Sequence, residues 1–215
     1  YPHRVPLTLK MRTVWSAQCR NAVQLGRLAE NAGVAMLTVH GRPREQGYKE
    51  EAEYNTIAAV KAAVRIPVVA NGDIDSPQQA ARVLAATGAD ALMIGRAAMG
   101  RPWLFREIGH FLQTGAELPS PAVAEVRNAL LRHLNDHYRL YGEYTGVRNA
   151  RKHINWYVAS LPGGSLLRQR VNTMESATEQ TQAVDAFFAG LQEAHARLPH
   201  PCATPSQEQA LLLAA

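Results

Sequence analysis

The chain has 215 residues, 47% hydrophobic and 19% charged, a balance that fits a folded domain with or without an appendage and excludes intrinsic disorder as the default. No run of 18 apolar residues occurs, so no membrane-spanning helix is expected, and Tyr1-Pro2-His3-Arg4 does not open a secretion signal. Cys19 and Cys202 are isolated thiols, which excludes a disulfide scaffold and points to a reducing, cytoplasmic setting, while the net charge of +5 hints weakly at a polyanionic partner.

In chain order, residues 5–11 form a short β-rich run, followed by a helix over about 17–32 with Ala22, Leu25, Leu28, Ala29 and Ala32 on one face. Residues 35–40 read as a second strand, a Gly-rich charged loop covers 41–52, and a helix covers about 53–64. A third strand at 66–71 leads to a helix that Ser76 can cap, with Pro77 at its first position and Gly88 at its close. The fourth strand is 91–95, and Pro102 opens the next helix. Strands and helices alternating at about 30-residue spacing are βαβ units on a parallel sheet. A doubly wound sheet fits this pattern as well. The polar residues favour a barrel, because Lys10, His40, Asn71 and Gly95-Arg96 all close successive strands, where (β/α)8 enzymes place their chemistry.

The texture changes after Gly115. A Pro-rich linker at 118–121 precedes helical stretches at about 122–141, 146–159, 165–175 and 177–197, broken at Gly142 and Pro162-Gly163-Gly164. The expected organisation is the C-terminal half of a TIM barrel over 1–117, an all-α helical bundle over 118–198 and a flexible tail over 199–215. The opening on Tyr1, directly before a strand, suggests a piece of something longer.

Ala70-Asn71-Gly72-Asp73-Ile74, followed one βα unit later by Ile94-Gly95-Arg96, has the makings of a phosphate site: glycines that let the backbone approach an anion and an arginine fork to hold it. Two ordinary glycine turns with an exposed arginine would look the same. Lys10 is read either as a group that stabilises negative charge or forms a Schiff base, or as a solvated strand-end lysine. His40 is functional or structural by the same weighing.

In the helical half, no Asp or Glu occurs from Tyr144 to Met174, whereas Arg148, Arg151, Lys152, Arg168 and Arg170 do. Arg148, Arg151 and Lys152 share a helical face with His153, Trp156 and Tyr157 interleaved, a pattern that grips phosphates and stacks on bases. A basic solvent face over an aromatic core face is the alternative. No zinc, calcium or P-loop pattern and no Ser/His/Asp signature is read, so no metal is expected.

Several stretches together resemble the tRNA-dihydrouridine synthases, in particular the bacterial B-type. They are Leu9-Lys10-Met11-Arg12-Thr13, Leu37-Thr38-Val39-His40-Gly41-Arg42, Val69-Ala70-Asn71-Gly72-Asp73-Ile74, residues 88–97, Gly100-Arg101-Pro102-Trp103, and Ala150-Arg151-Lys152-His153-Ile154-Asn155-Trp156-Tyr157. The similarity runs from about residue 5 to 190. It implies an FMN enzyme that reduces the C5–C6 double bond of tRNA uridines, with NADPH re-reducing the flavin. On that resemblance Lys10 contacts the flavin ring and His40 helps hold the cofactor. Asn71, Gly72, Asp73, Gly95 and Arg96 hold its ribityl-phosphate, and Arg148, Arg151 and Lys152 lie on the domain that grips tRNA. The family's catalytic cysteine sits in an Asn-x-Gly-Cys-Pro stretch that is absent here, so neither Cys19 nor Cys202 inherits its role. The acid, with the rest of the barrel, is expected upstream of Tyr1, and the fragment alone is expected to be inactive. Two other readings remain open: another FMN barrel reductase or dehydrogenase of a small molecule, and a non-catalytic RNA-binding remnant.

Overall fold

A computed structural model describes residues 5–13, 21–45 and 51–199. Four parallel strands, β1 (Thr8–Arg12), β2 (Met36–His40), β3 (Val68–Asn71) and β4 (Ala91–Met93), are hydrogen-bonded in sequence order. Helices α1 (Ala22–Asn31), α2 (Asn55–Ala63), α3 (Pro77–Thr87) and α4 (Leu104–Thr114) alternate with them or follow them.

Side-chain parity divides the sheet, because successive residues of a strand point to opposite faces. Leu37, Val39, Val68 and Ala70 form one cluster with Ala22, Ala29, Ile57, Val60, Ala80, Val83, Leu104 and Ile108 of the four helices. The opposite parity, in register across the strands, carries Lys10, Arg12, Thr38, His40, Val69 and Asn71. Among the described residues helices thus draw on one face of the sheet, and strand order contains no reversal. A doubly wound sheet has both a second helical layer and a reversal; this topology is instead compatible with part of a (β/α)8 barrel.

Local chemistry sets the boundaries. Ser76 caps α3 by accepting from the Gln79 N–H at 3.3 Å, Pro77 takes the first turn, and Gly88 closes the helix in the left-handed region. Residues 66–67 fall outside β3: Pro67 lacks an N–H for the ladder, although its carbonyl accepts from the Leu37 N–H at 2.9 Å. Ile94 and Gly95 leave β4 and lead into a single 3-10 turn, Arg96–Ala98. The expected helix over 17–32 starts at Ala22, and residues 14–20 lie outside the described residues, as do 200–215 of the expected tail.

The chain clusters into two compact units, and Met99–Trp103 groups with the second, not with the barrel portion as expected from the sequence. The reason is a close approach: the Gly100 backbone sits against the Trp156 carbonyl. The second unit otherwise comprises α5 (Val123–Val158), α6 (Gly164–Thr173) and α7 (Ala177–Ala194). Its core takes Val123, Val126, Leu130 and Leu134 from the first part of α5, Ala150, Ile154 and Val158 from the second, and Leu167, Val171, Val184 and Phe188 from α6 and α7. The fully buried Gln180 satisfies itself three ways, donating to the carbonyls of Val147 and Val171 and accepting from the Tyr138 hydroxyl at 2.8 Å.

The range α5 holds the two helices expected at 122–141 and 146–159, which meet at a break at Gly142, the interior residue that leaves helical geometry at φ 72° and ψ 174°. That φ/ψ region is essentially reserved for glycine, so one residue suffices to redirect the axis. Among the described residues no helix is long and apolar enough to cross a membrane.

Candidate functional site

The carboxyl ends of the strands bring together most of the polar residues expected there. Arg12 lies opposite His40, and His40 opposite Asn71, in the parallel register. Asn71 donates from Nδ2 to the Met93 carbonyl at 2.7 Å, which ties the end of β3 to the end of β4. Gly72, at φ 132°, passes so close to the neighbouring loop that a Cβ there would lie 2.7 Å from the Ala52 Cβ. Gly95 is exposed, with open space where a side chain would be.

Asp73 is a hub. Its Oδ2 accepts from Arg42 at 2.5 Å and from the Ala52 N–H at 2.8 Å, and its Oδ1 accepts from Arg96 at 3.4 Å. Asp73 itself adopts a left-handed φ of 46°, which Asp tolerates better than most residues. A carboxylate repels a phosphate, so Asp73 can serve an anion site only by orienting cations and backbone. The Arg42 side chain is fully buried, whereas that of Arg96 is 38% exposed. Tyr54 completes the floor, its hydroxyl donating to the Gly72 carbonyl at 3.0 Å.

Electrostatically the site carries surplus positive charge. The His40 pKa is pulled down to about 4, mainly by burial and then by Arg12, Lys10 and Arg42, against a smaller opposing pull from Asp73. Burial and then Arg12 also lower that of Lys10. His40 is therefore neutral at pH 7 and available as a hydrogen-bonding group. Lys10, expected to close its strand, lies instead in the middle of β1, exposed on the same sheet face and two positions before Arg12, because the ladder with β2 continues to Arg12 opposite His40.

Arg42 stands out in the sequence only as part of a motif, and Ala52 and Tyr54 carry no signal there. Their contacts bridge residues 18 to 31 apart, a separation that no local pattern encodes.

In the second unit the basic trio divides. Arg148 donates to Glu175 at 3.0 Å and lies 3.8 Å over the Tyr144 ring, and Arg151 donates to the Met174 carbonyl at 2.9 Å. Both hold the segment that joins α6 to α7. Lys152 is exposed, with its ammonium 5.7 Å from the Trp156 ring. Beside it the structure gathers His133, His137 and His153, whose donor atoms all lie within 4.8 Å of one another. The i, i+4 spacing of His133 and His137 was the available signal for this cluster.

Residues 2–192 match the dihydrouridine synthase (Dus) family. Similar proteins include tRNA-dihydrouridine synthase B of Pseudomonas aeruginosa, 54% identical over 185 residues that cover 86% of this chain and 56% of that protein. Those of Shewanella oneidensis and Vibrio cholerae are 54% and 50% identical over 184 residues, each covering 86% of this chain and 57% of the relative. The chain thus spans about half the length of the curated relatives it matches. Likeness to solved structures is slight: a wild-type GGGPS from Thermoplasma volcanium has a TM-score of 0.36 at 18% identity, covering 51% of this chain and 50% of that one. A nitroalkane oxidase from Streptomyces ansochromogenes has 0.33 at 19% identity, covering 88% and 59%. The chain belongs to the dihydrouridine synthase family.

Proposed function

We propose that this chain is the C-terminal portion of a tRNA-dihydrouridine synthase, providing one wall of an FMN site and a tRNA-gripping helical unit. The observation that carries the reading is the convergence of Asn71, Gly72, Gly95 and Arg96 on the ends of β3 and β4, beside a neutral His40 and a surplus of positive charge. These residues fit a flavin phosphate: Gly95 leaves space at its Cβ position, the Arg96 side chain is partly exposed, and Asp73 orients it. Asn71, Gly72, Gly95 and Arg96 would hold the ribityl-phosphate, while Lys10 and His40 would face the ring. When bound, the flavin supplies the two-electron reduction of the uridine C5–C6 bond, with NADPH as the source of its electrons. No described residue of this chain is assigned the proton transfer to C5, which the reading gives to a cysteine outside it.

Arg148, Arg151 and Lys152 are proposed for the tRNA side, with the exposed Lys152 and the half-buried Trp156 best placed to meet phosphate and base. The same reading supplies the remaining strands of the barrel from elsewhere in the protein, in keeping with the 64% exposure of Leu7 beside the edge strand β1.

The test uses the full-length gene product that contains this chain and tRNA lacking dihydrouridine. Uridine reduction is expected, and Arg96→Ala is expected to weaken FMN binding by roughly tenfold or more through loss of a charge-assisted contact. No dihydrouridine formed by the flavin-loaded wild-type protein would overturn the reading.

A further inference from the structure

His133 and His137 stand one turn apart on the part of α5 before Gly142, and His153 stands on the part after it. The break at Gly142 turns the second arm so that the His153 ring lies 4.9 Å from that of His133 and 5.1 Å from that of His137, centroid to centroid. All three are half-buried, and one nitrogen of each falls within 4.8 Å of the others. Tetrahedral zinc, with Zn–N distances of about 2.0–2.1 Å, asks for ligand nitrogens about 3.4 Å apart, and side-chain rotation of about 1 Å closes that gap.

Two further observations bear on what the cluster is for. Nε2 of His137 is buried without a hydrogen-bond partner, a cost that ligation of an ion at that nitrogen would remove. Trp156 packs edge-on against His153, with ring centroids 5.0 Å apart.

We propose that His133, His137 and His153 form a three-imidazole site for a late first-row divalent cation, with zinc the expected occupant, and that the ion clips together the two arms of α5 across Gly142. Three neutral nitrogen ligands leave a fourth position for water, and imidazole selects zinc, copper or nickel over magnesium and calcium. The three histidines all belong to the second unit, and the inference does not depend on the proposed function.

The probes are Zn²⁺ and Co²⁺ on the metal-stripped 215-residue chain carrying Cys19→Ser and Cys202→Ser, so that thiols contribute nothing. Calorimetry is expected to show one equivalent of Zn²⁺ bound with a Kd of about 10 μM or tighter, and Co²⁺ is expected to give a visible d–d absorption band that Zn²⁺ abolishes. His133→Ala and His153→Ala should each weaken binding at least about tenfold, whereas His195→Ala should change it less than about twofold. Should the alanine variants fold poorly, His153→Gln and zinc protection of the three wild-type histidines from diethyl pyrocarbonate, mapped by mass spectrometry, give the same decision. Absence of saturable binding, binding undiminished by loss of His153, or protection of other histidines instead would overturn the proposal.

Discussion

His40 and Arg42 are buried, and protonation of His40 would add a positive charge beside those of Arg12, Lys10 and Arg42. An unfolded chain takes up a proton at this position near pH 6.5, whereas the folded one resists until about 4. Between those values the unfolded state holds more protons, so stability rises with pH. His40's contribution is complete above about 6.5 and declines as pH falls toward 4, by on the order of 2–3 kcal/mol. Urea unfolding at pH 7 and pH 4.5 should show this loss, and His40→Gln should flatten it; a His40 imidazole resonance titrating near 6.5 would refute the assignment. The strand-end positions of His40 and Asn71 were legible because hydrophobic runs end there in polar residues, whereas Lys10, expected to close its strand, lies in the middle of β1, which runs on to Arg12. The Arg42–Asp73 ion pair was not legible, since it exists only once β2 and β3 are in register and places Gly41 and Gly72 side by side. Likewise, a run of basic residues on one helical face does not say which will be consumed internally, as Arg148 and Arg151 are by the segment at Met174 and Glu175.

At the scale of elements, α5 owes its form to one residue. Gly142 has nothing within 4 Å of where a Cβ would be, so replacing it adds no clash and isolates the backbone term. Gly142→Ala is expected to cost about 1–3 kcal/mol, because alanine is strongly disfavoured at φ 72° and ψ 174°. Gly190→Ala, in an equally open position inside α7, should instead stabilise by up to about 1 kcal/mol. Thermal unfolding of both variants checks the opposite signs. Helix positions were readable from their periodicity and caps, as at Ser76 and Gly88. Strand ends were less so, because apolar character continues past the last ladder hydrogen bond at Ile94 and precedes the first at Ile66. Gly142 was recognised as a breaker between two helices, and the helix breaks at that residue.

For the chain as a whole, the outer edge of the sheet has the greatest consequence in solution. Val5 is 91% exposed and Leu7 64%, just before the edge strand β1. Unpaired backbone flanked by apolar side chains favours strand addition. The isolated chain is expected to self-associate as its concentration rises, and Leu7→Lys to reduce the effect. Light scattering after size-exclusion chromatography measures both, and a monomer at all concentrations would contradict the expectation. The one-sided winding of the sheet also governs which length changes the chain can accept. Alternate strand residues serve two masters, helix packing through Leu37, Val39, Val68 and Ala70, and the polar face through Thr38, His40, Val69 and Asn71. Inserting or deleting a single residue within β2 or β3 would exchange the two sets, burying imidazole among the helices and turning leucine toward the site. Length variation among related chains should therefore collect in the loops and spare the strands.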